Sequence, residues 1–335
     1  MTLRQQAFQK LKSMLDAGMG RSRHQDKKDG TDKYYIYSFK TFNTYRQTME
    51  YFIRWLEVNH PEVTTLKKAR KYVREWLVSL EGKYKASTIQ TRAKGIGKFY
   101  GITSTDPDYY EPPVRHREDI VKNRQRTKTD AHFSEAKHAD LIHFADHCGF
   151  RREGMESITR DSLYDKQLLI SEIERINKIP ISDRSENDII LLDCYKRTIL
   201  FRDCFDFFIL VREKGGKWRL APIIGSKEDV RKIVAKFEST APGHSVWGKL
   251  SKNYNEHRHR AEYAAALYRQ FARPIDQIPY DSVNKASGHR YQSEVYVCRT
   301  DLKGKRFDKK AMEIVEKALG HESPHTFASH YAYKL

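Results

Sequence analysis

The sequence predicts a mainly α-helical protein of two domains, the second an α+β domain with small β-hairpins. Three observations predict it. Apolar residues recur at three- and four-residue steps through the first hundred residues. A basic, proline-bearing stretch poor in apolar residues follows. Beyond it, two β-rich runs flank Gly215-Gly216 among further helical stripes.

The first stripe is Phe39, Phe42, Tyr45, Met49, Phe52, Ile53 and Leu56, a helix that ends before Pro61. The second is Leu66, Ala69, Val73, Trp76, Leu77 and Leu80, with Thr64 or Thr65 as N-cap and Gly82 as stop. A third helix opens at Ser87, with Ile89, Ile96 and Phe99 inward and Lys83, Lys85, Arg92, Lys94 and Lys98 on or beside it. Residues 103–130 change character, with three prolines and many Arg and Lys. The reading is a helical domain at 1–110, a basic linker at 111–130 and a second domain at 131–335.

In the second domain, "SEAKHADLIHFADHCG" reads as a helix stopped by Gly149, and "FDFFILVREKGGKWRLAPII" is the strongest hairpin signal. "EVYVCRTDLKGKRF" is a weaker hairpin turning near Lys303-Gly304. Helices are expected at about 226–239, 255–272 and 308–319, the last capped by Asp308 with Ala311, Met312, Val315 and Leu319 inward.

Composition narrows the function. Lys and Arg number 62 against 44 Asp and Glu, a net charge of +18, and 20 Tyr and 16 Phe are interleaved with the basic residues. That balance favours a large anionic partner, nucleic acid before a membrane surface, since neither terminus carries a basic amphipathic helix. No apolar run reaches membrane-span length and no signal-peptide core opens the chain, so an intracellular protein is expected. Cys148, Cys194, Cys204 and Cys298 are scattered with no CxxC, which speaks against a disulfide framework or a cysteine zinc site. His257 and His259, two apart, face different sides of a helix and make a poor metal pair. No cofactor or metal is expected.

Five fragments carry candidate chemistry, and each alone reads as ordinary surface: "GFR" at 149–151, "KGGKWRLAP" at 214–222, "HRHR" at 257–260, "LGH" at 319–321 and "HYA" at 330–332. Their order is informative. It resembles the motif series of the tyrosine recombinase (phage integrase) family: Gly-x-Arg, a Lys before a β-turn, His-x-x-Arg, Leu-Gly-His, then a tyrosine. Over residues 1–110 the resemblance is of architecture alone. It implies a two-domain, C-shaped clamp on DNA, with a helical core-binding domain before the catalytic one.

Carried over residue by residue, the resemblance implies that Tyr331 attacks a DNA phosphate. Arg151 and Arg260 bind its non-bridging oxygens and Lys214 protonates the leaving 5′ oxygen. His257 assists proton transfer at the nucleophile, and His321 hydrogen-bonds the phosphate. Tyr333 is the rival nucleophile, disfavoured because Tyr331 stands ten residues after His321. Lys83, Lys85, Arg92, Lys94, Lys98, Arg124, Arg126 and Lys128 are the candidate DNA-backbone contacts. Where the family often has an acidic residue three after its first Arg, this chain has Gly154, which turns attention to Glu153 or Glu156. Segments 165–205 and 275–305 stand out as apparent insertions.

The chemistry is coherent without the family. A phosphodiester is anionic and gathers charge on oxygen in its transition state, so with no metal motif beside these fragments fixed cations must stabilise it. Arginine's planar fork suits two phosphate oxygens. A tyrosine hydroxyl needs a nearby base or positive field to react near neutral pH.

The implied function is a site-specific recombinase, the integrase or transposase of a mobile element. It acts through a 3′-phosphotyrosine and a Holliday junction, without metal or ATP. The implied partners are double-stranded recombination sites, a homotetramer on two duplexes and a DNA-bending or directionality protein, in a bacterial, nucleoid-associated setting. The alternatives are a type IB topoisomerase and a DNA-binding protein that kept the fold without catalysis.

Overall fold

A computed structural model describes residues 1–116, 133–213, 216–251, 253–299, 302–321 and 325–335. The chain divides into two compact units, Met1–Arg115 and His116–Leu335. It is mostly helical with a few small antiparallel sheets, an α+β protein. Among the described residues no helix is long and apolar enough to cross a membrane.

The first unit is helical. Helix α1 (Leu3–Gly18) opens with a reciprocal capping box between Thr2 and Gln5 and buries Ala7, Leu11 and Leu15. A short α2 (Arg23–Lys28) follows. Helix α3 (Phe39–Asn59), capped by Ser38, buries Phe42, Met49, Phe52, Ile53 and Leu56. The next stripe, read from sequence as one helix, is two: α4 (Leu66–Ala69) and α5 (Val73–Val78) around a 3₁₀ turn at Arg70–Tyr72. Its apolar face survives because the i, i+3 repeat of a 3₁₀ turn keeps residues in line; Leu66, Ala69, Val73, Trp76, Leu77 and Leu80 are all buried. Helix α6 (Ala86–Tyr100) ends at Gly101 in the left-handed conformation.

The second unit is built on a three-stranded antiparallel sheet, β1 (Leu163–Asp165), β2 (Phe207–Glu213) and β3 (Lys217–Pro222), with β2 in the centre. Alternate residues of β2 serve different cores. Phe208 packs with Leu220, Tyr263, Met312 and Phe327, and Ile209 and Val211 pack with Phe144, Phe150, Met155 and Phe237. A strand buried on both faces reads as an unbroken apolar run, as "FFILV" does.

Around the sheet lie α7 (Ala139–Cys148), α8 (Arg152–Ser157), α9 (Lys166–Asn177), α10 (Glu186–Arg197), α11 (Lys227–Glu238), α12 (Glu256–Phe271), α13 (Lys309–Ala318) and α14 (His325–His330). The segment 165–205 is no appendage: Leu169, Ile173, Ile176, Leu191 and Leu192 of α9 and α10 belong to the core that holds Phe208. The segment 275–305 carries a small strand pair, β4 (Ser282–Val283) with β5 (Arg290–Tyr291), and β6 (Val295–Val297), which pairs with β7 (Arg306–Asp308) just beyond it. The second pair is the weaker hairpin signal. Strands β1, β4 and β5, at two or three residues each, are too short to leave a periodicity.

Candidate active site

Helix α7 ends at Gly149, whose φ of 61° reverses the chain and delivers Arg151 as N-cap of α8. Only glycine fits here: a Cβ would stand 2.3 Å from the Tyr263 ring. The Gly149 carbonyl accepts hydrogen bonds from Arg260 Nη1 and, at 3.2 Å, from Arg219 Nη2.

Three arginines converge on one carboxylate. Glu213, last residue of β2 and in phase with Val211 and Ile209, is buried. It accepts from the Arg151 backbone at 3.0 Å, from Arg151 Nη1, and from Arg219 Nη2 and Arg260 Nη1, each at 3.1 Å. Burial opposes its charge, but Arg219, Arg260 and Arg151 outweigh it and hold the carboxyl well below the usual range. Three guanidinium groups against one carboxylate leave local positive charge at low dielectric, the field an anion seeks. Arg260 is fully buried, whereas the Arg151 side chain keeps 26% exposure.

His321 follows α13 through Gly320. Its Nε2 lies 2.9 Å from Arg151 Nη2 and 3.4 Å from Arg260 Nη2, and its Nδ1 lies 2.7 Å from Glu316 Oε2. A guanidinium only donates, so Nε2 is the acceptor and Nδ1 carries the proton toward Glu316. Burial, then Arg260, Arg151 and Arg219, push the His321 pKa down to about 3. Burial pushes Glu316 up to about 8. At neutral pH their contact, which has ion-pair geometry, is a hydrogen bond between a neutral imidazole and a carboxylic acid.

The end of the chain closes the cluster. The Tyr331 hydroxyl accepts from Arg260 Nε at 3.2 Å, and its ring stacks on His321 at 5.8 Å between centroids with planes 7° apart. Lys334 pairs with Glu262, and the Lys334 carbonyl accepts from Arg269, which ties the segment to α12. Tyr333 packs at the edge of the core with Lys334 Nζ 5.8 Å from its ring centre. Arg151, Arg260, His321 and Tyr331 are thus brought together from four separate segments.

The remaining predicted residues are placed differently. His257 lies exposed in the first turn of α12, 3.9 Å from Glu256 Oε1. Its neighbour His259 points inward, stacked on Tyr254 and 2.8 Å from Asp146 Oδ1. Lys214 lies outside the described residues, next to Glu213, as do Arg124, Arg126 and Lys128. Lys83, Lys85 and Lys94 are exposed in the first unit. Arg92 is buried, with its guanidinium 4.4 Å from the Tyr51 ring centre and 4.1 Å from that of Tyr84, and half-buried Lys98 donates to the Asp32 carbonyl. The carboxylate partner of Arg151 is Glu213, whereas Glu156 accepts from the Leu250 backbone.

Sequence reading missed Glu213, Arg219 and Glu316. Each had a faint signal. Glu213 and Arg219 occupy core-facing positions at the two ends of an apolar alternation, and Glu316 interrupts the Met312, Val315, Leu319 stripe.

Comparison with known proteins adds little. No family model matches the chain, and no curated protein matches it. Among solved structures, the crystal structure of XerA recombinase aligns over 88% of this chain and 88% of that chain, at a TM-score of 0.24 and 12% identity, a likeness too slight to carry an argument.

Proposed function

We propose that the protein is a tyrosine-type DNA strand transferase, a site-specific recombinase of a mobile element, with Tyr331 as nucleophile. The observation that carries this reading is the hydrogen bond from Arg260 to the Tyr331 hydroxyl inside a cluster of three arginines and a neutral histidine. A buried tyrosine hydroxyl held by a guanidinium is well placed to become a phosphoester oxygen, because the cation favours the charge that gathers there in the transition state.

In the proposed reaction a scissile phosphate enters beside Arg151 and His321. Arg151 and Arg260 take its non-bridging oxygens. The Tyr331 oxygen forms a bond to phosphorus as the bond to the 5′ oxygen breaks. Lys214 supplies the proton to that leaving oxygen, and His257 receives the tyrosine proton. The phosphotyrosine conserves the bond energy, so the 5′ hydroxyl of a second strand reverses the step and joins there. Exchange of two strands yields a Holliday junction, carried by a homotetramer on two duplexes. The exposed Lys83, Lys85 and Lys94 are the proposed backbone contacts of the first unit.

The test is denaturing capture of protein-linked DNA from bacterial cells expressing wild type, Tyr331→Phe or Tyr333→Phe, with sequencing of the linked DNA. An adduct at one site, lost only in Tyr331→Phe, is expected. Adducts spread without site preference would indicate a topoisomerase. An adduct that persists in Tyr331→Phe overturns the nucleophile assignment.

A further inference from the structure

We propose that His143, His147 and Asp229 form a binding site for a transition-metal ion of the zinc type. The ion clamps α11 to α7, and the proposal is independent of the strand-transfer reading.

The donors converge from two elements. His143 and His147 stand four apart on α7, on one helix face, the spacing by which helical histidine pairs share a metal. Asp229 lies 86 residues from His143 in the first turn of α11. His143 Nε2 is 2.9 Å from Asp229 Oδ1, and His147 Nε2 is 3.7 Å from Asp229 Oδ2. All three ligand atoms lie within 4.8 Å of one another. These two nitrogen–oxygen separations lie either side of the roughly 3.3 Å edge of a tetrahedron with bonds of about 2.0 Å.

The orientation of the His147 ring is a second observation. His147 Nδ1 lies 2.6 Å from the His143 carbonyl, which can only accept, so Nδ1 carries the proton. Nε2 is then the ring atom turned toward Asp229 Oδ2. That oxygen already accepts from the Ser226 backbone at 2.9 Å and the Ser226 hydroxyl at 2.6 Å. A ring nitrogen and a carboxylate oxygen thus face each other at 3.7 Å, a gap that one ion can bridge. A histidine whose far nitrogen donates to a backbone carbonyl is the usual orientation of a metal-bound imidazole. Lys232, one turn further along α11, is paired with Glu228 at 2.8 Å.

The surroundings are shaped for this ring. Gly225 has a φ of 120°, and a Cβ there would stand 2.5 Å from His147 Cδ2, so only glycine lets the imidazole lie over the turn. The side chains of His143, His147 and Asp229 retain 26%, 22% and 29% exposure, enough for water to complete the coordination shell. Two imidazoles and one carboxylate suit zinc better than magnesium or calcium, which prefer all-oxygen shells. Because the Ile224 backbone donates to the His147 carbonyl at 3.1 Å, the ion would also secure the exit of β3.

The test uses the full-length chain stripped with EDTA and titrated with zinc sulfate, then with cobalt(II) chloride as a spectroscopic probe. One equivalent of zinc is expected, with a raised melting temperature and a cobalt absorption band of nitrogen–oxygen coordination. The His143→Gln/His147→Gln double variant should lose the band and bind zinc at least about tenfold more weakly. Asp229→Asn should also weaken binding while keeping an N-terminal cap on α11, which separates lost coordination from lost folding. Zinc uptake or thermal stabilisation equal in wild type and double variant overturns the proposal, as does no uptake by the wild type.

Discussion

Arg260 and Tyr331 are 71 residues apart in sequence, and Arg260 Nε lies 3.2 Å from the Tyr331 hydroxyl. The same guanidinium reaches Gly149 O, Glu213 Oε1 and Leu319 O. One planar fork thus sets the position of the tyrosine, the acid and two chain reversals. Arg260→Lys is therefore expected to behave like a deletion, because a point charge cannot meet those directions together. Covalent adduct formation on a nicked duplex should fall by about 10²-fold or more in both Arg260→Ala and Arg260→Lys. An Arg260→Lys variant with near wild-type adduct yield would refute the role of the fork.

Glu213 is the counter-charge of the arginine cluster. Glu213→Gln keeps its shape and leaves three buried or half-buried guanidinium groups without their acid. Removing one partner of such a group typically costs about 3–5 kcal/mol. Urea unfolding at neutral pH should show a loss of that size. A loss under about 1 kcal/mol, the scale of a surface pair, would contradict the account.

Glu316 and His321 give opposite pH dependences. The folded Glu316 carboxyl titrates at about 8, above its ordinary 4.5, so the folded state holds a proton that the unfolded state releases. Its contribution is full below 4.5 and lost as pH rises through 8. The folded His321 titrates at about 3, below its ordinary 6.5, so its contribution is present above 6.5 and lost as pH falls toward 3. Glu316→Gln keeps an acceptor for His321 and removes only the first dependence. The stability of wild type relative to this variant should decline between pH 4.5 and 8 in thermal melts, and a flat difference would sink the assignment.

Gly149 serves both backbone and packing. Gly149→Ala places a Cβ in a left-handed residue, worth about 1–2 kcal/mol, and drives it into Tyr263. Gly243→Ala, at φ 76° with nothing within 4 Å, carries only the backbone part. Gly149→Ala should lower the melting temperature clearly more than Gly243→Ala. Equal shifts would mean that Tyr263 yields freely.

An excess of 18 positive charges predicts strong electrostatic binding to duplex DNA. The logarithm of affinity should fall linearly and steeply with the logarithm of salt concentration, as counterions are released from several neutralised phosphates. Titrations by fluorescence anisotropy between 50 and 200 mM salt, on the order of the range where such slopes are read, would show it. A flat response would count against a duplex-backbone partner.

Periodicity made the helices legible. The stripe of α13 names buried residues throughout, and that of α3 does so apart from exposed Phe39 and half-buried Tyr45, because burial of one face must repeat with the helix. Motif order likewise points to Arg151, Arg260, His321 and Tyr331, which the fold brings together. The partners of these residues were not legible. Glu213, Arg219 and Glu316 are single charges in apolar surroundings, and sequence alone cannot tell a buried, neutralised charge from a misplaced surface one. Their identity depends on contacts across 47 residues from Glu213 to Arg260 and 99 from Arg219 to Ala318.

By itself the sequence determined the helical first unit, the central hairpin, the basic character and the motif residues Arg151, Arg260, His321 and Tyr331 that the fold gathers. Those are local properties, carried by propensity, spacing and charge. Only the tertiary structure decided which acid neutralises the arginines, that His321 is neutral, that Arg92 is enclosed by tyrosines, and that His143, His147 and Asp229 meet. Each of these depends on the desolvation and direction of groups from distant segments, quantities that exist only once the chain has packed.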